Sequence, residues 1–320
     1  MVPAAADLLA ELHRTNRAAL PLLPARFEDR EMTTRAIQAL LAKRRAKGFA
    51  AFRDDKLVAY MIGDNETLPW GRSGHVYLPG YAVNNGERAE IIQDLYALLG
   101  DEWVKNGVFN HYLYISAADR TILEALFDIG FGKERVDALL DLASLRIPEV
   151  EEPSGVTIRL AGKGDNELVG SLSNVIFSAL ADAPYWHPTV PEDWAELHEG
   201  WSALADDKEW TFWLALEGEK ALGGIGFRAE AEEDTQMLIP ARTAYLSVAA
   251  TKPEARGRGV GTTLTWLGLA KTREDGFELC YTNWISPNLL ASRFWPRFGF
   301  KDVAYRLAKK VSPMISWAKS

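Results

Sequence analysis

Two stretches of this chain repeat one pattern of residues, and this repeat restricts the possible folds more than any other feature of the sequence. The two stretches are "HYLYISAADRTILEALFDIGFG" and "CYTNWISPNLLASRFWPRFGFK". Each reads as a strand, a turn, a short helix and a closing Gly-Phe pair. When Gly130 is aligned with Gly299, Tyr112 falls opposite Tyr281 without a gap. The repeat therefore predicts two copies of one α/β unit.

The length of 320 residues suits two domains, since a domain commonly takes about 150 residues. The segment "ASLRIPEVEEPSG" has two prolines, an acidic cluster and a Ser-Gly pair, which is typical of a linker. We therefore expect a first domain at 1–142, a linker at 143–155 and a second domain at 156–320. Paired strands such as "FAAFRD" and "KLVAYMIGD" indicate hairpins, and the amphipathic segments between strands indicate helices.

Composition and charge argue against several classes of function. The net charge of −8 argues against general nucleic-acid binding, which needs a basic surface. No run of about 18 apolar residues could span a membrane, and the N-terminus lacks the basic and apolar regions of a signal peptide. The five histidines show no metal-ligand spacing, so no metal site is expected. The single cysteine, Cys280, is expected to be an inert core thiol in a cytoplasmic protein.

A glycine-rich turn, "PEARGRGVGTT", connects a predicted strand, "AYLSVAAT", to a predicted helix, "TLTWLGLAKTRED". Backbone N–H groups at the start of a helix lie at the positive end of the helix dipole and form an anion site, most often for phosphate. The glycines let the backbone approach an anion closely, while Arg256 and Arg258 add positive charge. The turn alone is weak evidence, because a surface turn with solvated arginines has the same residues. It matches neither the Walker pattern nor the dinucleotide-binding fingerprint.

Two spaced motifs resemble those of the GNAT superfamily, the acyl-CoA-dependent N-acyltransferases. Arg256-x-x-Gly259-x-Gly261 resembles the pyrophosphate loop of that family, and "NLLASRFWPRFGF" is similar to its second motif. The resemblance covers about residues 156–310. The first half, about 30–142, resembles the same fold by its order of elements and by "LFDIGFG". The whole chain therefore resembles tandem GNAT proteins, with two α/β domains that each contain a mixed, mostly antiparallel twisted sheet flanked by helices.

The resemblance implies a binding site for acetyl-CoA, which would be a co-substrate. The strands Tyr245–Thr251 and Leu279–Trp284 would lie parallel and then diverge, so that pantetheine inserts between them, and the glycine turn would bind the pyrophosphate. Asn288 is also expected to be a helix N-cap, a position that favours asparagine. The residues expected to bind the co-substrate are Ala249, Ala250, Thr251, Arg256, Gly257, Arg258, Gly259, Val260, Gly261, Thr262, Asn283, Asn288 and Trp295.

The resemblance also implies that a tyrosine in the second motif protonates the leaving thiolate, but Trp295 occupies that position here. An indole N–H donates hydrogen bonds and is not a usable acid near neutral pH. Two other tyrosines are candidates for the catalytic role. Tyr281 lies on the strand that would line the thioester, and Tyr245 begins the opposite strand. For each of them, packing in the core is the alternative.

Two loops are candidates for contacts with the acceptor amine. The acidic segment with Glu230, Glu232, Glu233 and Asp234 could attract a cation, or could be a solvated hairpin turn. The aromatic segment "DAPYWHPTVPEDW" could enclose an ammonium group, with His187 as a base, or could be a supported surface loop. The sequence leaves these alternatives open.

The first copy lacks the glycine turn. At the matching position it reads "VNNGERAE", where Glu90 falls near the position of Gly259, and Asp119 replaces Asn288. Carboxylates at a helix N-terminus repel phosphate. We therefore expect the first copy to be a degenerate scaffold or one wall of the acceptor pocket.

These observations predict an enzyme, an N-acetyltransferase of GNAT type that transfers an acetyl group from acetyl-CoA to an amine of a small molecule by direct attack on the thioester. The alternative is a non-catalytic acyl-CoA-binding or regulatory module. Neither function involves a metal, a nucleic acid or a membrane. The chain is expected to be a monomer or a homodimer.

Overall fold

The structure is a computed structural model that describes residues 1–68, 71–187 and 189–318. The chain divides into two compact units. Unit 1 contains Met1–Ala138, Glu232–Ala241 and Asp302–Ser320, and unit 2 contains Leu139–Ala231 and Arg242–Lys301. Within the described ranges, no helix is both long enough and apolar enough to cross a membrane.

Helices and strands alternate along the chain, as expected for an α/β protein. The helices are α1 (Val2–Ala19), α2 (Arg30–Leu41), α3 (Glu90–Lys105), α4 (Arg120–Asp128), α5 (Asn166–Gly170), α6 (Ser173–Ala181), α7 (Trp194–Ala203), α8 (Val260–Glu274), α9 (Leu289–Phe294) and α10 (Ile315–Ala318). The strands are β1 (Lys47–Arg53), β2 (Lys56–Leu68), β3 (Gly71–Val76), β4 (Tyr81–Val83), β5 (Asn110–Ser116), β6 (Gly132–Asp141), β7 (Thr157–Leu160), β8 (Trp210–Glu217), β9 (Lys220–Ala229), β10 (Thr243–Thr251), β11 (Leu279–Ile285) and β12 (Lys301–Lys310).

The sheet of unit 1 has the strand order β1-β2-β3-β5-β12-β6, with β4 paired to β2. Strands β3 and β5 are parallel, whereas β1, β3 and β4 pair with β2, and β12 with β5, in antiparallel fashion. One face of the sheet packs on α3, where Trp103 and Leu99 are buried in the core. The tryptophan fits because Gly63 and Gly74 have no side chains; an added Cβ at either one would come within 2.5 Å of the indole.

The sheet of unit 2 includes strands in the order β11-β10-β9-β8-β7. Strands β10 and β11 are parallel, whereas the pairs β7–β8, β8–β9 and β9–β10 are antiparallel. The mixed, mostly antiparallel sheet that the sequence predicts is therefore present in each unit.

Helices cover both faces of the sheet in unit 2. On one face, Gly268 of α8 lies so close to Phe227 that an added Cβ would come within 2.3 Å of the ring. On the other face, Phe212 packs against Trp201 of α7, with ring centroids 6.3 Å apart. Since side chains alternate between the faces of a strand, Trp210 shares the face of Phe212.

The segment predicted to be a linker, residues 143–155, forms neither helix nor strand. It lies within unit 2, where Arg273 donates a hydrogen bond of 2.9 Å to the carbonyl of Leu145. The limits of the two sequence domains at 142 and 156 stay a prediction, because the compact units are assembled from separate pieces of chain.

Candidate active site

The two parallel strands of unit 2 stop pairing halfway along their length, as expected. Their paired register runs from Thr243 and Leu279 to Leu246 and Thr282, although both strands continue beyond that point. The hydroxyl of Thr282 donates a hydrogen bond of 2.9 Å to the carbonyl of Leu246, at the last paired position. On its other side β10 has a bulge at Ser247, where the register with β9 shifts, and a bulge bends a strand. A gap between β10 and β11 follows from these features.

The residues of β10 beyond this point keep only their pairing with β9. Ala249 pairs with Ile225, Ala250 pairs with Gly224, and Thr251 pairs with Gly223. A strand directs its backbone N–H and C=O groups alternately to either side. The side of residues 249–251 that faces away from β9 is therefore the edge that an inserted pantetheine arm would use.

The glycine turn follows directly after β10 and leads into α8. Gly257 and Gly259 have φ values of 77° and 87°, a region in which residues with a side chain are strained. Gly259 is the N-cap of α8 and provides no side-chain hydrogen bond, so the helix depends on outside partners for its first N–H groups. An added Cβ would meet nothing within 4 Å at Gly257 and only Pro153, at 3.9 Å, at Gly259. The backbone of this turn is open to an approaching anion.

The first turn of α8 brings the other predicted residues of this segment together. Val260 is buried, Thr262 is exposed, and Gly261 lies where an added Cβ would be 3.1 Å from the hydroxyl of Thr251. A side chain at Gly261 would therefore press the helix away from the end of β10. The absence of a side chain at Gly261 thus lets α8 lie close to the end of β10.

The two arginines of the turn differ from the expectation that both add free positive charge. The guanidinium of Arg258 forms a salt bridge of 2.7 Å with Glu217, at the end of β8. Arg256 lies on the exposed surface of the turn. Sequence reasoning missed the partner because Glu217 stands far from the turn along the chain and only the sheet brings it near.

A row of four side chains crosses unit 2 on the face that α7 covers. Trp210 pairs in register with Arg228, Arg228 with Tyr245, and Tyr245 with Tyr281. The two tyrosine rings have centroids 5.0 Å apart, and the guanidinium of Arg228 lies 5.4 Å from the centroid of the Tyr245 ring. Tyr245 and Tyr281 come one residue before Leu246 and Thr282, the last residues at which β10 and β11 pair. The candidate catalytic tyrosines therefore lie beside the gap.

The two predicted asparagines have different local roles. The amide nitrogen of Asn283 donates a hydrogen bond of 2.8 Å to the hydroxyl of Tyr245 and lies 3.5 Å from that of Tyr281. Asn288 is the N-cap of α9, as expected, and its side chain accepts a hydrogen bond from the amide of Ala291. The structure thus joins Asn283 to the tyrosines, a contact that the motif alone did not indicate.

Trp295 lies inside a cluster of aromatic rings. It is 7% exposed, and its ring centroid is 4.9 Å from that of Phe294 and 6.0 Å from that of Phe300. This environment indicates a packing role. Cys280 is also buried, and burial raises the pKa of its thiol to about 12, which agrees with an inert core thiol.

The two loops proposed as acceptor contacts are tied down differently. Glu232 forms a salt bridge of 2.6 Å with Arg26, and the segment Glu232–Ala241 belongs to unit 1. Glu232, Glu233 and Asp234 are all exposed, which agrees with the solvated alternative. His187 stacks on Tyr185 at 5.3 Å between ring centroids and is exposed. Pro188 of the same loop lies outside the described residues.

The corresponding turn of unit 1 has an ion pair between two of its own side chains. Helix α3 begins at Glu90 with Ala89 as its N-cap, so Glu90 stands one residue inside the helix. Glu90 forms a salt bridge of 2.5 Å with Arg88. At the second motif, the carboxylate of Asp119 is the N-cap of α4. Carboxylates thus occupy the places where the second copy has glycine and asparagine.

A pair of rings in unit 1 matches the tyrosine pair of unit 2. His75 pairs in register with Tyr112 on the parallel strands β3 and β5, and their ring centroids are 5.2 Å apart. Tyr112 is the residue that the sequence repeat aligns with Tyr281. The offset of the sequence repeat, which aligns Gly130 with Gly299, would align Val76 with Tyr245. In the structure the counterpart of Tyr245 is His75, one residue earlier on β3.

Residues 175–300 match the family model described as "Acetyltransferase (GNAT) family". No curated protein matches the chain in sequence. Within residues 1–68, 71–187 and 189–318, no group of three or more His, Cys, Asp or Glu side chains is arranged to hold a metal ion.

Several solved structures share the fold. A GCN5-related N-acetyltransferase from Sphaerobacter thermophilus has a TM-score of 0.58 at 19% identity, over 97% of this chain and 93% of that one. A tandem GNAT protein from the clavulanic acid biosynthesis pathway has a TM-score of 0.50 at 14% identity, over 94% of each chain. A glucosamine N-acetyltransferase region of a fungal multi-domain β-N-acetylglucosaminidase has a TM-score of 0.52 at 14% identity, over 86% of this chain and 34% of that one. These similarities confirm the predicted fold class over nearly the whole chain.

Proposed function

We propose that the chain transfers an acetyl group from acetyl-CoA to the amine of a small molecule, because residues 175–300 match the family model described as "Acetyltransferase (GNAT) family". The observation that carries the proposal is the open glycine turn at the end of β10, directly beyond the gap between β10 and β11. The turn offers N–H groups for a pyrophosphate, and the gap offers a strand edge for the pantetheine arm.

The chemistry follows from what surrounds the gap. Attack by the amine nitrogen on the thioester carbonyl forms the amide bond, breaks the C–S bond and leaves a thiolate that needs a proton. Backbone N–H groups on the free edge of β10 are suited to stabilise the oxygen as its charge develops. Tyr281 and Tyr245 stand one residue before the gap and are the proposed groups that move protons.

The second candidate function is a module that binds acyl-CoA without catalysis. The burial of Trp295 among phenylalanines favours it, because the second motif then provides no acid. A free-thiol release assay with a set of primary amines distinguishes the two functions. Release of CoA thiol that depends on an amine supports the transferase, while acetyl-CoA binding without release supports the binding module.

The test of the co-substrate site is a pair of matched variants at the two ends of α8. Gly259→Glu places a carboxylate and a side chain in the turn, so we expect the affinity for acetyl-CoA to fall on the order of a hundredfold. Gly276→Glu is the control, because Gly276 has a similar φ of 91°, is exposed and has nothing within 4 Å of its Cβ position. Each change should cost about 1 kcal/mol of backbone strain.

Calorimetry with acetyl-CoA and a thermal melt of each variant complete the experiment. The wild-type chain should bind about one acetyl-CoA, since we propose that the first copy is a degenerate domain without a working turn. Near-normal affinity in a folded Gly259→Glu protein would show that the turn is not the phosphate site. Two equivalent sites per chain would contradict the degenerate first copy.

A further inference from the structure

Arg228 is the one charged member of the four-residue row described above, Trp210–Arg228–Tyr245–Tyr281. It lies on β9, next to Tyr245 and on the same face of the sheet. Neighbouring strands are about 4.8 Å apart, so the guanidinium is within about 10 Å of the gap between β10 and β11. A molecule that presents its amine at the gap can reach this cation with its other end.

Aromatic rings hold the guanidinium in place. Its central carbon lies 5.8 Å from the centroid of the Trp210 ring and 5.4 Å from that of Tyr245. Tyr245 is itself fixed by the hydrogen bond from Asn283. A planar cation placed between fixed rings loses little freedom when it binds a further group, which favours its use as a receptor.

The ion pair of Arg228 leaves donors for a ligand. Its carboxylate neighbour, Glu230, is two residues along the chain, and the nearest nitrogen and oxygen of the pair are 3.3 Å apart. An arginine has five N–H donors in a planar fork that suits a carboxylate with two hydrogen bonds. The side chain of Arg228 is 38% exposed, so an incoming group can reach the fork.

The first copy shows that this cation is not a requirement of the fold. In unit 1, the register places Asp64 beside His75, and His75 beside Tyr112. The position that corresponds to Arg228 therefore carries the opposite charge. The arginine is a property of the copy that has the open glycine turn.

We propose that Arg228 binds a carboxylate of the acceptor, so that the acceptor is an amine that also carries a carboxylate, with the two groups within about 10 Å of each other. This inference rests on the proposed acetyl transfer and specifies its substrate class. Arg228 positions the acceptor through its anionic end, while the amine reacts at the gap.

The test compares pairs of amines that differ only in the carboxylate: β-alanine with ethylamine, γ-aminobutyrate with propylamine, and phenylalanine with phenethylamine. With saturating acetyl-CoA, the wild-type protein should give a higher kcat/KM for the carboxylate member of at least one pair. In Arg228→Gln that preference should fall at least tenfold, mainly through KM, because only the carboxylate member of each pair loses a binding partner. Arg228→Lys keeps the charge and should retain part of the preference.

Arg242→Gln is the control variant. Arg242 also forms a salt bridge in unit 2, with Glu278, but on the exposed surface. It should leave the preference as in the wild type. A wild-type protein that favours the plain amines, or an Arg228→Gln variant that loses both members of a pair equally, would overturn the proposal.

A binding measurement separates this inference from the proposed transfer. Thermal shift of the acetyl-CoA-saturated protein with the same amines reports the carboxylate contact even where no thiol is released. If the carboxylate members stabilise the wild-type protein but not Arg228→Gln, the inference is supported. If the same wild-type protein then turns over none of the amines, that result contradicts only the proposed transfer. If the wild type turns over plain amines and shows no shift with any carboxylate member, the transfer stands and the inference is wrong.

Discussion

Thr282 on β11 donates a hydrogen bond of 2.9 Å from its hydroxyl to the carbonyl of Leu246 on β10. The pair marks the last position at which these parallel strands stay in register. Both residues are buried, so the hydroxyl satisfies a carbonyl that water does not reach. The contact holds the base of the gap in which we propose that the thioester lies.

The substitution Thr282→Val keeps the shape of the side chain and removes this hydrogen bond. The free energy of unfolding should fall by about 1 kcal/mol, since a buried carbonyl loses its partner. The KM for acetyl-CoA should rise, because the strands can shift at the base of the gap. A denaturant titration and initial rates check the two effects; unchanged stability together with an unchanged KM would contradict the role given to this contact.

The salt bridge between Glu217 and Arg258 neutralises one cation of the glycine turn. In Glu217→Gln the arginine loses its partner and is available to a phosphate, so acetyl-CoA should bind a few-fold more tightly. The gain should shrink as salt is added, because exposed charges are screened. Glu219→Gln, an equal charge change two residues further on, is the control for calorimetry at two salt concentrations. An equal gain in the control would show a general effect of charge.

The two tyrosines beside the gap should respond differently to loss of the hydroxyl. Tyr281→Phe should lower kcat by about a hundredfold if this residue transfers a proton in the rate-limiting step. Tyr245→Phe removes the acceptor of the Asn283 hydrogen bond and should lower the free energy of unfolding by about 1 kcal/mol, with a smaller effect on kcat. Rates measured across pH separate the two. Full activity of Tyr281→Phe would show that Tyr281 is not the group that transfers the proton.

Asp119 gives the chain a pH dependence of stability. Burial raises the pKa of its carboxyl from the ordinary 3.8 to about 6 in the folded state. The folded protein therefore binds this proton more tightly than the unfolded chain does, so the stabilising contribution is complete below pH 3.8 and is lost as the pH rises towards 6. Above that pH the partly buried carboxylate of Asp119 is charged and destabilises unit 1.

The substitution Asp119→Asn removes the charge and keeps a good N-cap on α4. Its melting temperature should exceed that of the wild type above about pH 6, and the difference should vanish near pH 4. Asp29→Asn is the control, because Asp29 is an exposed N-cap, on α2. Thermal melts from pH 4 to pH 8 check the prediction, and an equal difference at every pH would contradict it.

Much of the fold and part of the candidate site could be predicted from local sequence. The strand-turn-helix order around "PEARGRGVGTT" predicts β10, the turn and α8, because glycines with positive φ and helix N-caps leave local signals. The cap by Asn288 is local in the same way. The repeat around Tyr112 and Tyr281 predicts two matched positions on parallel strands, which the registers confirm.

The rest of the site depends on strand register, which no single segment encodes. Arg228 lies beside Tyr245 only because β9 and β10 pair at that position, close to the bulge of β10 at Ser247. In the sequence, "GGIGFRAEAEE" places Arg228 near the end of a predicted strand, where side chains alternate between the two faces. This is the local signal that Arg228 lies on one face of the sheet. The salt bridge between Glu232 and Arg26 is non-local in the same way, because Arg26 comes from a distant part of the chain.

Strand β12 pairs with β5 from Asn110 and Lys310 to Ser116 and Ala304, so a strand encoded far downstream of the first repeat completes the sheet of unit 1. A ribosome makes β5 long before it reaches β12. Until β12 emerges, β5 in the nascent polypeptide presents an unpaired backbone edge to any chaperone or neighbouring chain that it meets. A gene cut at the linker would fix that state permanently. The first repeat therefore cannot complete its sheet when its own codons have been translated.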